Sequence, residues 1–265
     1  MAGNDSKTLL ETVNLRKSFT TISGVIEVLK GINIKINHGD FTIIFGPSGC
    51  GKSTMLHCLL GLEKPTEGKI TIEGEDFYDM SEDDRALLRR HKIGMIYQQS
   101  LWIGSLNVYE NVTFPLHLLD YDEAIIKQKA AESLSLVGLE KWANYRPTEL
   151  SSGQQQKISL ARSLMTEPLL IVADEPTGNL DTVSGRELLE TFMKLVEKGK
   201  TIIMVTHDLE YLKYATKIFH VVDGEIVEEY SPKKKLTKSF EGKKEIGGAG
   251  GSNVRDREFL KKLNL

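Results

Sequence analysis

Nine consecutive residues, Gly46-Pro47-Ser48-Gly49-Cys50-Gly51-Lys52-Ser53-Thr54, carry the first recognisable chemistry of the chain. They fit the G-x-x-x-x-G-K-[ST] phosphate-loop pattern, with an apolar run, Phe41 to Phe45, before them and a helix-compatible stretch, Thr54 to Leu60, after them. The glycines let the backbone curl with its N–H groups inward, which a side chain at Gly49 or Gly51 would obstruct. The helix that follows adds the positive end of its dipole. Lys52 reaches the β- and γ-phosphates of a nucleotide held there, and the Ser53 hydroxyl ligates Mg²⁺. The other half of such a site is an acidic residue ending a buried strand. Leu169 to Ala173, followed by Asp174-Glu175, supplies it. Asp174 is placed to hold Mg²⁺, directly or through water, and Glu175 to polarise the attacking water. Thr201 to Val205 ends in the same way at Thr206-His207. Ligands of open α/β sheets sit at the carboxyl ends of strands, so His207 faces the same crevice, where it can bond a γ-phosphate or orient the carboxylate. Gln98 ends a third strand, and its amide is a candidate ligand for Mg²⁺ or the water. Finally, Leu150-Ser151-Ser152-Gly153-Gln154 makes a second anion site of N–H groups and hydroxyls at a helix start. Two phosphate-binding helix ends in one chain suggest that two chains share two nucleotides.

The elements that position these residues read as an α/β core with a helical subdomain inserted. Leu9 to Leu15 and Val25 to Ile36 alternate as strands, with Gly24 and Gly31 as breaks and Phe19 between them. Lys69 to Ile72, with Gly74, forms a hairpin edge. Ser81 before Glu82-Asp83-Asp84 starts a helix, and Ile93 to Tyr97 is a strand. From about 99 to 160 the pattern turns helical. Asn107 caps Val108 to Thr113, Asp122 to Val137 has helical apolar spacing and stops at Gly138, and Ser151 to Met165 is a third helix. The buried runs Leu169 to Ala173 and Thr201 to Val205 suit strands covered on both faces of a parallel sheet. Ser184 to Lys198 is a helix, Leu209 to Ala215 a short one, and Asp223-Gly224 turns the hairpin of Ile218 to Val222 and Glu225 to Val227.

The composition is that of an ordinary globular protein of 265 residues, and a net charge of −3 argues against a general nucleic-acid binder. No run approaches the ~18 apolar residues of a membrane span, and the N-terminus lacks the apolar core of a signal peptide. A cytosolic chain is expected, with any membrane role coming through a partner. Cys50 and Cys58 would lie roughly 12 Å apart on a helix, too far for a disulfide. Loop amides favour a thiolate at Cys50, but the plainer reading is a small residue that fits the loop. Residues 231–265 differ in kind from the first 230. They hold ten basic against four acidic residues and the linker Gly247-Gly248-Ala249-Gly250-Gly251-Ser252, and read as a flexible, solubilising tail that could also touch anionic lipid.

Six motifs in one order carry a resemblance. The phosphate loop, Gln98, Leu150 to Gln154, Asp174-Glu175, Asn179-Leu180-Asp181 and His207 make the chain, from Leu9 to Glu229, similar to the ATP-binding subunits of ABC transporters. Ala173 to Asp181 most resembles the lipoprotein-release, macrolide-export and cell-division cassettes (LolD, MacB, FtsE). The resemblance implies a P-loop NTPase (RecA-like) core with an N-terminal antiparallel β subdomain. It implies ATP and Mg²⁺ as cofactors, Glu175 as general base and His207 as the γ-phosphate switch. Ser151, Ser152, Gly153 and Gln154 would complete the site of an opposite protomer, with Asp181 bridging the two sites. Phe19 stands where an aromatic stacks on adenine. The third signature residue is commonly glycine, so Ser152 would cost backbone freedom or perturb the dimer contact. Partners implied are a second copy of the chain and an integral membrane permease, met by Ser100 to Pro115, with Leu101 and Trp102 as contacts or as core of the insert. Such a subunit sits on the cytoplasmic face of the membrane and drives export of a lipoprotein, drug or peptide. The same resemblance allows a rival role, in which closure transmits force to an envelope partner without moving cargo.

Overall fold

The computed structural model describes residues 7–231; the start of the chain and the basic, glycine-linked tail from residue 232 on lie outside the described residues. Alternating apolar residues draw β1 (Thr8–Thr21) and β2 (Gly24–Asn37) into an antiparallel ribbon. Phe41–Phe45 is β3, buried at every residue, and the phosphate loop leads from it into α1 (Lys52–Leu59). A hairpin of β4 (Glu67–Ile72) and β5 (Glu75–Asp76) follows, then α2 (Glu82–Lys92), opened by the Ser81 hydroxyl accepting from the Asp84 N–H. After β6 (Ile93–Ile96) come three helices. A reciprocal Asn107–Glu110 box opens α3 (Val108–His117). Asp122 opens α4 (Glu123–Val137), and Gly138 stops it at φ +71°. Ser151 opens α5 (Ser152–Leu164). The chain returns through β7 (Leu170–Asp174), α6 (Thr182–Glu197), β8 (Thr201–Thr206) and the hairpin of β9 (Lys217–Val222) and β10 (Glu225–Tyr230). Asp223 and Gly224 both take positive φ at its tip, as a primed two-residue turn requires.

Two sheets result, ordered β2-β1-β4-β5 and β10-β9-β3-β8-β7-β6. The first is antiparallel; in the second, only β10 runs against its neighbour. Period-two alternation sends neighbouring residues of the central strands to opposite faces. Phe41, Ile43 and Phe45 join one core with the helices α3 to α6, whereas Ile44 joins another with β1, β2 and α1. The six-stranded sheet is therefore covered on both sides, and α5 reaches from α3 and α4 to β6.

Four sequence expectations need correction. The first strand does not stop at Leu15 but continues through Phe19 to Thr21, because the hairpin pairing persists beyond the buried stretch. Gly31 does not break β2; at φ +89° it is the extra residue between the Leu15–Ile32 and Arg16–Lys30 pairs, a bulge within a continuous ribbon. The first helix starts at Lys52, two residues early, and Leu209–Tyr214 is a 3₁₀ helix.

Candidate functional site

The phosphate loop is held from behind. A Cβ at Gly46 would lie 2.0 Å from the Val221 carbonyl oxygen, so no larger residue fits there without moving β9. At Gly51, φ is +102° and Val28 and Leu29 close the space. Gly49 differs from expectation: nothing lies within 4 Å of a Cβ there, and the need for glycine is its φ of +80° rather than obstruction. The β9–β10 turn braces the loop through the Gly224 N–H, which donates to the Cys50 carbonyl at 3.1 Å. Lys52 is 5% exposed, and its Nζ donates to the carbonyls of Gly46 (2.7 Å) and Pro47 (2.9 Å). Cys50 and Cys58 are both buried and free; burial pushes the Cys58 thiol up to about 11.

Beside the loop, β3, β8 and β7 are parallel neighbours, with Phe45 level with Thr206 and Val205 level with Asp174. Their carboxyl ends therefore gather Lys52, Ser53, Asp174, Glu175 and His207. Burial, followed by the charge of Glu175, holds the Asp174 carboxyl above the usual range, with His57, Lys52 and the Ser53 hydroxyl acting against the rise. Its Oδ1 is buried and has no hydrogen-bond partner among the described residues. A desolvated carboxylate with an unpartnered oxygen, beside a hydroxyl on a phosphate loop, is a donor set for a hard cation. Mg²⁺ is typically bound by one or two carboxylates together with substrate phosphates, and one carboxylate beside one hydroxyl suits that mode. These residues thus fit Mg²⁺ carried with a nucleotide. Glu175 follows in the left-handed region, φ +44°, with its N–H bonded to the Val205 carbonyl at 3.0 Å. Its Oε2 lies 3.0 Å from His207 Nδ1, so the imidazole fixes the carboxylate.

The second helix start has its own caps and neighbours. Ser151 and Gln154 cap α5 reciprocally, the Ser151 hydroxyl accepting from the Gln154 N–H at 3.3 Å. Ser152 is the first residue of the helix, with negative φ and an exposed side chain, so its replacement of glycine costs no backbone freedom, contrary to expectation. Gly153, by contrast, is buried against Ser184. Asp181 caps α6 by accepting from the Val183 and Ser184 N–H groups and from the Ser184 hydroxyl at 2.7 Å. Gln98 belongs to this neighbourhood. Asn179 Nδ2 donates to its carbonyl at 3.2 Å, and a Cβ at Gly178 would meet its Nε2 at 2.7 Å. A cleft of about 250 Å³ contains Gln98, Ser152, Gln156 and Asn179, and Lys52 is not part of its wall.

Three aromatic and apolar candidates also find their places. Phe19 is 37% exposed on β1 opposite Ile26, with Lys17 Nζ 4.7 Å from its ring centre, so it is not a core residue. Leu101 is 59% exposed. Trp102 packs against the core, donates to Gln155 Oε1 at 3.2 Å and carries the Arg162 guanidinium 4.8 Å above its ring. Sequence reasoning passed over Gln156, whose partners Tyr97 and Ser100 are distant in the chain, and Ser184, whose close neighbour Gly153 is also distant.

Residues 29–178 match the family model described as ABC transporter. An uncharacterized ABC transporter ATP-binding protein of Methanocaldococcus jannaschii is 45% identical over 220 residues, spanning 83% of this chain and 98% of that one. The macrolide export ATP-binding/permease protein MacB of Bdellovibrio bacteriovorus is 41% identical over 218 residues, which is 82% of this chain but 33% of that protein. A dimeric ATP-binding cassette solved in a post-hydrolysis state, bound to ADP and Pi, aligns with a TM-score of 0.79 at 36% identity over 86% of this chain and all of the other. No helix among the described residues is long and apolar enough to cross a membrane. The phosphate loop, the strand-end carboxylates and these matches together show that the chain belongs to the ABC transporter family, as an ATP-hydrolysing cassette that uses Mg²⁺ and ATP.

Proposed function

We propose that this cassette closes head-to-tail with a second copy over two Mg-ATP, and that closure drives a separate membrane permease of the lipoprotein-, drug- or peptide-export kind. The observation that carries the dimer is that the two anion-ready helix starts have different neighbours. Lys52 gathers with Asp174 and Glu175, whereas Ser152 shares a cleft with Gln98 and Asn179, and Gly153 beside it rests on Ser184. A second copy would bring its own Ser151 end to the first copy's phosphate loop. The solved relative described as a dimer supports an assembly of two copies.

Each residue then has a task. Mg-ATP supplies the phosphoryl group and the charge that neutralises its departure. Lys52 exchanges two loop carbonyls for β- and γ-phosphate oxygens, alongside the N–H groups of residues 46–54. Ser53, Asp174 and, once off its seat at Gly178, Gln98 would hold Mg²⁺. Glu175, steadied by His207, takes the proton of the attacking water. The Ser151 hydroxyl accepts from its own helix, which leaves its proton for a γ-phosphate across the interface. Gly153 and Gln154 shape that helix start, Asp181 faces both sites, and Phe19 stacks on adenine. Exposed Leu101 meets the permease, which holds the cassette at the cytoplasmic face of the membrane. The test is Glu175→Gln, assayed for ATP turnover and for oligomeric state. The variant should bind ATP, lose turnover by about 10²–10⁴-fold and shift to a dimer with ATP. Normal hydrolysis would remove Glu175 from the role of base, and a monomer at saturating ATP would remove the shared site.

A further inference from the structure

The first residues of α5 end a helix whose body grips the segment carrying Gln98. Gln156 is 2% exposed, and its amide is spent on that segment alone. Nε2 donates to the Tyr97 carbonyl at 2.8 Å, and Oε1 accepts from the Ser100 hydroxyl at 3.0 Å. The two bonds flank Gln98 on both sides. One turn later, Ser159 donates to Ser100 Oγ at 3.2 Å, and Arg162 donates to the Leu101 carbonyl at 2.6 Å. These side chains recur at three-residue intervals, so they form one polar face of α5. Across the cleft, Asn179 holds the Gln98 carbonyl, but it is exposed and makes one bond.

A buried amide is costly to desolvate unless both its ends are paired, and here both pairings fix the same short segment. Tyr97 to Leu101 lies beyond the end of β6, in backbone with no ladder of its own. Its position is therefore set by side chains, chiefly those of α5. Rotation or translation of α5 about its Ser151 end must carry the Gln98 backbone with it.

We propose that Gln156 is a positioning residue that locks the Gln98 segment to the Ser151 end of α5, so that the two nucleotide contacts move as one unit. This inference rests on the shared-site reading above, in which Ser151 meets one nucleotide and Gln98 the other. Without Gln156, Gln98 can still reach its own site, but its arrival no longer reports on the opposite one.

Hydrogen exchange on the full chain tests this in a Glu175→Gln background, titrated with Mg-ATP. The peptides to follow cover residues 97–102 and 151–155. In the parent, both should gain protection with one ATP midpoint. Gln156→Met keeps the length and removes both bonds. It should separate the two midpoints by about threefold or more, and in the Glu175 chain lower kcat about tenfold with little change in ATP affinity. Ser100→Ala should do part of this, and the double variant should be no worse than Gln156→Met alone. A single shared midpoint in a folded Gln156→Met variant overturns the proposal. So does a loss of kcat under twofold. If Gln156→Met fails to fold, Ser100→Ala carries the test: a midpoint split supports the lock, and unchanged midpoints overturn it. Should the parent itself show no ATP-dependent protection at 151–155, the shared-site reading falls and takes this inference with it, an outcome read from the parent alone.

Discussion

Gly153→Ala puts a methyl group where α5 rests on α6. The new Cβ would lie 2.7 Å from Ser184 Oγ and 2.9 Å from Ser184 Cβ, both inside any real contact distance. The hydroxyl can rotate away, at the expense of its 2.7 Å bond to Asp181, but the Cβ is fixed to the α6 backbone. The helices must therefore part by several tenths of an ångström. Overpacking of this kind costs about 1–3 kcal/mol. Against it stands the helix propensity gained on replacing glycine, about 1 kcal/mol at most in a helix interior and less in the first turn. The balance is a destabilisation of about 1–2 kcal/mol, or roughly 2–8 °C in melting temperature for a chain of this size. Thermal melts without nucleotide measure it directly. Ser184→Gly removes both clashing atoms, so the double variant should lose less than the sum of the two single changes, with a coupling of about 1 kcal/mol. A Gly153→Ala chain that melts at or above the parent would mean that propensity outweighs the contact and that Gly153 is not packed as described.

Three further expectations follow from the site. Asp174 has its folded pKa raised above the 3.8 of an open carboxyl, so its ionised form is penalised in the folded state, a penalty absent at low pH and present in full at neutral pH. Asp174→Asn should therefore melt above the parent at pH 7 without metal, the gap should close toward pH 4, and added Mg-ATP should no longer protect the variant; a variant that melts lower at pH 7 would show the carboxylate to be well compensated. Phe19→Ala should weaken ATP binding by about tenfold, from the 1–3 kcal/mol typical of base stacking. As the ring is exposed, the melting temperature of the free protein should stay close to the parent's, and unchanged ATP affinity would separate Phe19 from the adenine. Finally, neither thiol should react readily with Ellman's reagent in native protein at pH 8, since both are buried and Cys58 stays protonated to about 11, while two should titrate in guanidinium; fast native labelling would contradict the burial.

What could be read from the sequence was what local chemistry fixes. Ser81, Asn107, Asp122 and Ser151 each open a helix because a cap needs only its own neighbours, and Gly138 closes one for the same reason. The strands around Asp174 and Thr206 were visible because burial on both faces leaves an unbroken apolar run. Residues whose place depends on distant partners were not visible. Gly31 looks like a break unless its ribbon partner is known to need a bulge. Gln98 reads as a candidate ligand for Mg²⁺ or the water, but its seat against Gly178, a contact across eighty residues, cannot be read from the sequence. Ser152 reads as a departure that costs backbone freedom or perturbs the dimer contact, and only its place as the first helical residue removes the first of these costs. Gln156 reads as one more polar residue in a glutamine run until its burial and its two partners are seen.

The bracing of the phosphate loop by the β9–β10 turn also bears on biosynthesis. Gly46 packs on Val221, and Gly224 bonds both Cys50 and Lys30, so the loop near residue 46 takes its backing from a turn near residue 224. A ribosome adding about 5–20 residues per second delivers that turn roughly 10–35 s after the loop. Through that interval the nascent loop lacks the wall that shapes it. A competent nucleotide site is thus among the last features of the domain to form, which delays ATP capture until the core beneath it is complete.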